Sequence, residues 1–395
     1  MKHPVQAILS IHNFYQKPGG EDAVFTSEAA LLSSRGHAVS VHESRNDQIR
    51  SGYATAFRVV WNPASYGRVR RLLQPRPAAI AHFHNTFPLV SPSAYYAATA
   101  GGAAVVQTLH NYRLICPGAL LQRNGTPCEE CIHRSSLVPA IAHGCYRDSR
   151  TATAAVAAML AVHRTAGTYQ QVVDSYIALS EFARRKFIEG GLPAERIAVK
   201  PNFVSPDPGA GNGEGGYALF VGRLAKEKGI ETLAAAWHLL PAIPLRVAGD
   251  GPLHPTTWSG GATYLGAQPH AQVIALMRDA HVLVFPSTWY ECCPMTILEA
   301  LACGTPVIAS NLGSIPEFVR HGYNGLLFRP GDAEDLARQV RWAFDHPEEL
   351  RAMRANARRE FEEKYTAERN YNLLMAIYEQ AIANAQRRTG TRAAS

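Results

Sequence analysis

Residues 281–310 constrain the fold more than any other stretch, because they hold two short apolar runs separated by one helix-length segment. The run His-Val-Leu-Val-Phe at 281–285 reads as a buried strand, and 306–309 reads as a second. Between them, 294–303 carries a helix pattern, with Pro294 at a first-turn position and Gly304 as a C-terminal cap. Strand, loop, helix and strand in this order make a parallel unit, whose loop and helix N-terminus face a ligand crevice and favour an anion there. Glu291 lies in that loop and Glu299 on the helix. A phosphate-attracting helix start between two carboxylates suits a ligand that joins a pyrophosphate to polyols, as a nucleotide sugar does. The plainer alternative is an amphipathic core helix with two solvated glutamates.

The same rhythm fills both halves of the chain. In the first half, strands are expected at 5–11, 38–42, 78–83, 103–109, 175–179 and 197–199, with helices at 22–34, 152–162 and 181–189, the last capped by Ser180. The loop Pro18-Gly19-Gly20-Glu21 follows the first strand. It is no GxGxxG, so a dinucleotide site is not supported; paired glycines do allow close backbone approach to a ligand, and a plain tight turn is the alternative. Arg68, Arg70 and Arg71 give 66–73 a basic helix face, which solvation alone would explain. His82, His84 and His110 stand at strand ends, and His110-Asn111 leaves an apparent central strand where open sheets place ligand contacts.

Residues 206–216, rich in Pro, Gly and Asp, read as a linker. Strands at 217–221, 245–248 and 263–265 and helices at 229–240 and 269–279 then lead to the 281–310 unit, and three helices fill 332–388. At one strand-to-helix junction, Gly222-Arg223 and Lys228-Gly229 place two cations where a diphosphate would sit.

Length and composition set the class. A chain of 395 residues with 47% apolar and 18% charged residues suits two or three soluble globular domains. No apolar run approaches the roughly 18 residues of a membrane span. The N-terminus lacks a signal-peptide core, so a cytoplasmic protein is expected. Residues 1–200 hold 21 Lys/Arg against 12 Asp/Glu, net +9, and 201–395 hold 18 against 20, net −2. The basic half could attract nucleic acid, anionic lipid or a phosphorylated substrate, or be a solvated face. Four of the seven cysteines, Cys116, Cys128, Cys131 and Cys145, fall in an irregular insertion at 112–150. Their C-x2-C pair and two flanking thiols could complete a structural zinc site; buried free thiols, a disulfide or an iron–sulfur cluster are the alternatives.

Two Rossmann-like halves, a Gly-Gly loop in the first, Gly222-Arg223-x4-Lys228 in the second, and Glu291-x7-Glu299 before Gly-Thr-Pro-Val-Ile-Ala-Ser together resemble the family 4 retaining glycosyltransferases. The resemblance implies an α/β GT-B fold: an N-terminal acceptor domain over 1–203, a linker at 204–216, a nucleotide-sugar domain over 217–364, and a helix and tail at 365–395 returning to the N-terminal domain. It implies catalytic roles for Glu291, His110, Arg223 and Lys228. Donor binding is implied for Gly19, Gly20, Arg223, Lys228, Glu291, Met295, Thr296 and Glu299: the cations on the diphosphate, Glu299 on the ribose, Glu291 and His110 on the transferred sugar. It also implies retention of configuration, no metal at the donor site, and a glycan or lipid-linked acceptor met at the cytoplasmic face of an anionic membrane. Cys292-Cys293 departs from the commoner family pattern and puts sugar specificity in doubt. A GT-B phosphorylase or nucleotide-sugar hydrolase would share the phosphate site. A nucleic-acid-binding protein with a zinc knuckle is disfavoured, because the basic residues are not interleaved with aromatics in a recognition motif.

Overall fold

The structure, a computed structural model, describes residues 6–16, 19–46, 53–74, 79–253 and 261–393. Val5, Pro18 and Ala78, included above in two strands and a loop, lie outside the described residues. The chain forms two compact units: one comprises residues up to Leu121, Glu129–Pro201 and from Tyr371 onward; the other comprises Gln122–Cys128 and Asn202–Asn370.

The first unit contains a six-stranded sheet of β1 (Ala7–Phe14), β2 (Ala38–Arg45), β3 (Ile80–Phe83), β4 (Ala104–Leu109), β5 (Ser175–Ala178) and β6 (Ile197–Val199), in the order β2-β1-β3-β4-β5-β6. Every pairing is parallel. Strands β3, β4 and β5 are buried throughout, as a sheet covered on both faces requires. The second unit repeats the design with β7 (Ala218–Val221), β8 (Leu245–Ala248), β9 (Ala262–Gly266), β10 (Val282–Phe285), β11 (Val307–Ser310) and β12 (Gly325–Phe328), ordered β9-β8-β7-β10-β11-β12 and again all parallel. Its core gathers Phe220, Leu233, Trp237, Val284, Phe328 and Leu336. This is the GT-B architecture. In each sheet the strand order reverses once, between β1 and β3 and between β7 and β10, and ligands bind such folds beyond the strand ends at those points.

Local signals explain most elements. The Ser180 hydroxyl accepts from the Ala183 N–H at 3.2 Å and starts helix Glu181–Glu189, and Asp332 caps Ala333–Asp345 through the Asp335 N–H at 2.9 Å. Strand β1 runs on to Phe14, beyond the apolar run that ended at Ile11, because buried His12 and Asn13 continue it. Strand β12 and helix Ser93–Ala100 are additional to the elements read from the sequence.

Residues 206–216 have no regular structure, yet they are not a free tether. The Gly211, Gly213 and Gly215 N–H groups donate to the carbonyls of Cys303, Arg278 and Asp279 at 2.9, 3.1 and 2.9 Å. Arg358 grips Asp207 through two bonds of 2.7 and 2.6 Å. The glycine content there serves close packing: a Cβ on Gly211 would lie 1.9 Å from the Arg278 carbonyl oxygen. The second compact unit begins at Asn202, ends at Asn370 and includes Gln122–Cys128 of the insertion.

Candidate active site

In the second unit, β7 ends at Val221 and the chain turns through Gly222 and Arg223 to a short 3-10 turn, Lys226–Lys228. Gly229 follows with φ of +74°, and a Cβ there would stand 1.8 Å from the Pro286 carbonyl oxygen. Glycine thereby brings Lys228 against the loop leaving β10. The Lys228 ammonium meets Glu291 Oε1 at 2.6 Å, with Trp289 Nε1 donating to the same oxygen at 2.8 Å and the Ser287 hydroxyl at 3.1 Å. Glu291 is buried, and among the described residues its Oε2 takes no hydrogen bond. One oxygen is thus held by three donors and the other, among the described residues, by none. The Ser314 hydroxyl fixes the backbone by donating to the Glu291 carbonyl at 2.6 Å.

Helix Met295–Ala302 begins four residues later. Its N-cap, Pro294, makes no side-chain capping bond. The first-turn N–H groups of Met295 and Thr296 are therefore left for solvent or an anion. Glu299 Oε1 accepts from His270 Nε2 at 2.9 Å, and this carboxylate raises the His270 pKa above its ordinary value. Arg223 is paired with Glu227 and largely exposed. The second unit thus brings together Lys228 and Glu291, while Arg223 and Glu299 each hold a different partner.

In the first unit, helix Gly20–Ser34 takes in Gly20 and Glu21 of the predicted glycine loop and leaves Gly19 as its N-cap. Asp22 secures the helix start: its Oδ2 accepts the Gly19 N–H at 2.8 Å and its Oδ1 lies 2.6 Å from His12 Nε2. Asp22 thus holds the N–H of Gly19, one of the residues named above for donor binding. Beside it, Asn85 and Asn111 donate to the two oxygens of Glu21 at 3.1 and 3.3 Å. Burial pushes the Glu21 carboxyl up to about 7, against the pull of Tyr15 and Asn111.

His110 follows β4 and is half-buried. Its Nε2 lies 3.0 Å from His84 Nδ1, with the two rings stacked at 5.2 Å. Behind them sits Glu28, whose Oε2 accepts from Lys200 Nζ at 2.8 Å and whose Oε1 faces His82 Nδ1 at 3.2 Å and His84 Nε2 at 3.3 Å. Burial would raise Glu28, but Lys200 and the two histidines hold its carboxyl well below the usual range. Burial pushes His110 and His82 well below the ordinary histidine range, with the neighbouring His84 adding to it.

The cysteines are divided. Cys116, Cys131 and Cys145 belong to the first unit and Cys128 to the second. Gly118 packs between Cys116 and Cys145: a Cβ on it would meet Cys145 Cβ at 3.5 Å and Cys116 Sγ at 3.7 Å. Among the described residues, Glu28, His82 and His84 are the one group of three or more candidate metal ligands with atoms within 4.8 Å of one another. The three thiols of the first unit are not drawn together to that distance.

Two family models match in tandem, "Glycosyltransferase Family 4" over residues 18–208 and "Glycosyl transferases group 1" over 207–360. The chain belongs to this glycosyltransferase family. It is 32% identical to the sulfoquinovosyl transferase SQD2 of Arabidopsis thaliana over 162 residues, which are 39% of this chain and 31% of that protein. The chain thus spans about a third of that curated relative's length. Among solved structures, a glycosyltransferase from Rickettsia africae superposes with a TM-score of 0.70 at 15% identity, over 95% of this chain and 99% of that one. HepE of Anabaena, solved with UDP and glucose, gives 0.65 at 17% identity, over 94% and 99%. Both likenesses are of fold.

Within this family member, the sequence motifs located Lys228, Glu291, Glu299 and His110 but not the side chains that hold them. Ser287, Trp289 and His270 in the second unit, and His12, Asp22, Glu28 and Lys200 in the first, carry no motif of their own, while His84 is marked only by its place at a strand end. A buried lysine beside an apolar strand end was the one signal available, because Lys is almost never buried without a partner.

Proposed function

We propose that the protein is a retaining glycosyltransferase that moves a sugar from a nucleotide-diphosphate sugar to a glycan or lipid-linked acceptor. The observation that carries this is the Lys228–Glu291 pair at 2.6 Å, set beside an uncapped helix N-terminus at the end of the second sheet. The binding of UDP and glucose by HepE, which shares the fold, supports the choice of donor class.

Breaking the anomeric C–O bond leaves negative charge on the diphosphate and positive charge on the sugar ring. Arg223, Lys228 and the N–H groups of Met295 and Thr296 would stabilise the first in a site preorganised for it. Glu291 Oε2 would take a sugar hydroxyl, and Glu299 would exchange His270 for the ribose hydroxyls. The acceptor oxygen attacks from the face the phosphate leaves, and its proton passes to a leaving phosphate oxygen, so configuration is retained. With two cations and a helix terminus at the diphosphate, and no Asp-x-Asp in the chain, this chemistry needs no metal at the donor.

The test is product analysis. Nucleotide diphosphate should appear in step with a glycoside of the donor's own anomeric configuration. Inverted product would overturn retention, and nucleotide release unaffected by any acceptor would favour a hydrolase.

We further propose that the protein meets a membrane surface and holds a structural metal. The basic first half suits a peripheral meeting with an anionic membrane face: the protein should sediment with anionic vesicles at low salt and be released at high salt. No helix among the described residues is long and apolar enough to cross a membrane. A structural zinc on Cys116, Cys128, Cys131 and Cys145 would appear as one metal per chain on elemental analysis, and folded, active, metal-free protein would dismiss it.

A further inference from the structure

An enclosed charged cluster lies in the first unit, behind His110. Glu28 and Lys200 are each 1% exposed, His82 is fully buried and His84 is 3% exposed. Glu28 Oε1 and His84 Nε2 are both buried without an aligned hydrogen bond, yet they face each other at 3.3 Å. A metal ion between Glu28, His82 and His84 is disfavoured by charge, since the Lys200 ammonium already sits 2.8 Å from the same carboxylate. The cluster calls for a different reading.

An ionised carboxylate only accepts, so the buried His84 Nε2 that faces it carries the hydrogen. Lys200 already matches the single negative charge of Glu28, and a protonated His84 would add a second buried cation, so the ring is neutral. Its Nδ1 is then an acceptor, and the His110 Nε2 at 3.0 Å must be the donor. His110, kept neutral by burial, is left with Nδ1 as a lone pair. Among the described residues that nitrogen has no hydrogen-bond partner. His82 also faces Glu28, its Nδ1 standing 3.2 Å from Oε1, but both its ring nitrogens have partners of their own, Nδ1 on the Tyr378 hydroxyl and Nε2 on the Thr108 hydroxyl, both at 2.8 Å.

We infer that Glu28, through His84, is a positioning residue that fixes His110 as the Nε2–H tautomer, so that His110 presents an acceptor nitrogen to a hydroxyl of the ligand. The ligand class, a sugar hydroxyl, rests on the function proposed above; the tautomer does not.

Ring-nitrogen NMR on full-length, histidine-labelled protein tests the tautomer, with a His110→Ala spectrum identifying the signal. In the wild type, His110 should be protonated at Nε2 and bare at Nδ1 over about pH 6 to 8. In Glu28→Gln/Lys200→Met, which keeps the charge balanced, and in His84→Gln, which leaves the Glu28–Lys200 pair intact, the ring should become a mixture of tautomers. Turnover should fall by about 100-fold in each, with donor KM nearly unchanged. His110→Ala should lose as much, and combining it with either change should cost nothing further. A His110 protonated at Nδ1 in the wild type, or losses that multiply in the combined variants, would overturn the relay. If no sugar transfer is found, the proposed function fails while the ring signals still decide the relay.

Discussion

At the scale of single residues, Glu291 and Glu299 have different partners and so should fail differently. Glu291 is buried with three donors on one oxygen. Glu299 lies on the helix and holds only the exposed His270. Glu291→Ala should lower kcat by about 100-fold or more while donor Kd moves little, and Glu299→Ala should weaken donor binding about 10-fold with a smaller effect on kcat. Single-turnover kinetics beside donor titration separates the two, and wild-type turnover in both variants would remove the assignment. Glu21 offers a test by pH. Its carboxyl is raised from an ordinary 4.5 to about 7, so ionising it costs the fold: its stabilising contribution is full below pH 4.5, is lost as pH rises through about 7, and then stays constant. Glu21→Gln has no such loss, so its stability relative to wild type should improve by about 1–3 kcal/mol between pH 4.5 and 8, read from denaturant midpoints at each pH. A constant difference would mean that Glu21 is not held protonated.

At the scale of elements, apolar periodicity and caps were enough to read most strands and helices. Ser180 and helix Glu181–Glu189, or strand Leu245–Ala248, stand where the pattern puts them. The failures have physical causes. The apolar pattern stops short of the end of strand β1 because its last residues, His12 and Asn13, are polar, and their side chains bond beyond the strand, His12 to Asp22 and Asn13 Oδ1 to the Leu89 N–H. Residues 206–216 looked like a tether because glycine marks both flexibility and close approach, and only coordinates tell the two apart. The motif residues and the strand-end His84 stand out in the sequence; Glu28 and Lys200 do not, since nothing in their order shows that residues 172 positions apart form an ion pair. Two substitutions test how these elements are joined. Gly229→Ala forces a Cβ into the Pro286 carbonyl at a positive φ and should cost about 2–4 kcal/mol of stability while displacing Lys228. Lys200→Met alone leaves Glu28 buried without its cation and should cost about 3–5 kcal/mol, with part of the loss recovered when Glu28→Gln is added. A stable Lys200→Met protein would mean that the pair does not tie β6 to helix Gly20–Ser34.

At the scale of the molecule, family membership and the doubled sheet say what class of chemistry the scaffold carries, and the site residues say where it would occur. The central claim is narrower: that Lys228, Glu291, Glu299 and the helix start at Met295 hold a nucleotide-diphosphate sugar. The direct measurement is a thermal-stability screen of nucleotide sugars on full-length wild-type protein and on Glu299→Ala. At a ligand concentration near 100 times Kd, one nucleotide sugar should raise the wild-type Tm by about 5–10 °C, and the variant should need a several-fold higher concentration for the same shift. A panel in which no nucleotide sugar shifts the wild type, or in which the variant responds as the wild type does, would contradict the account.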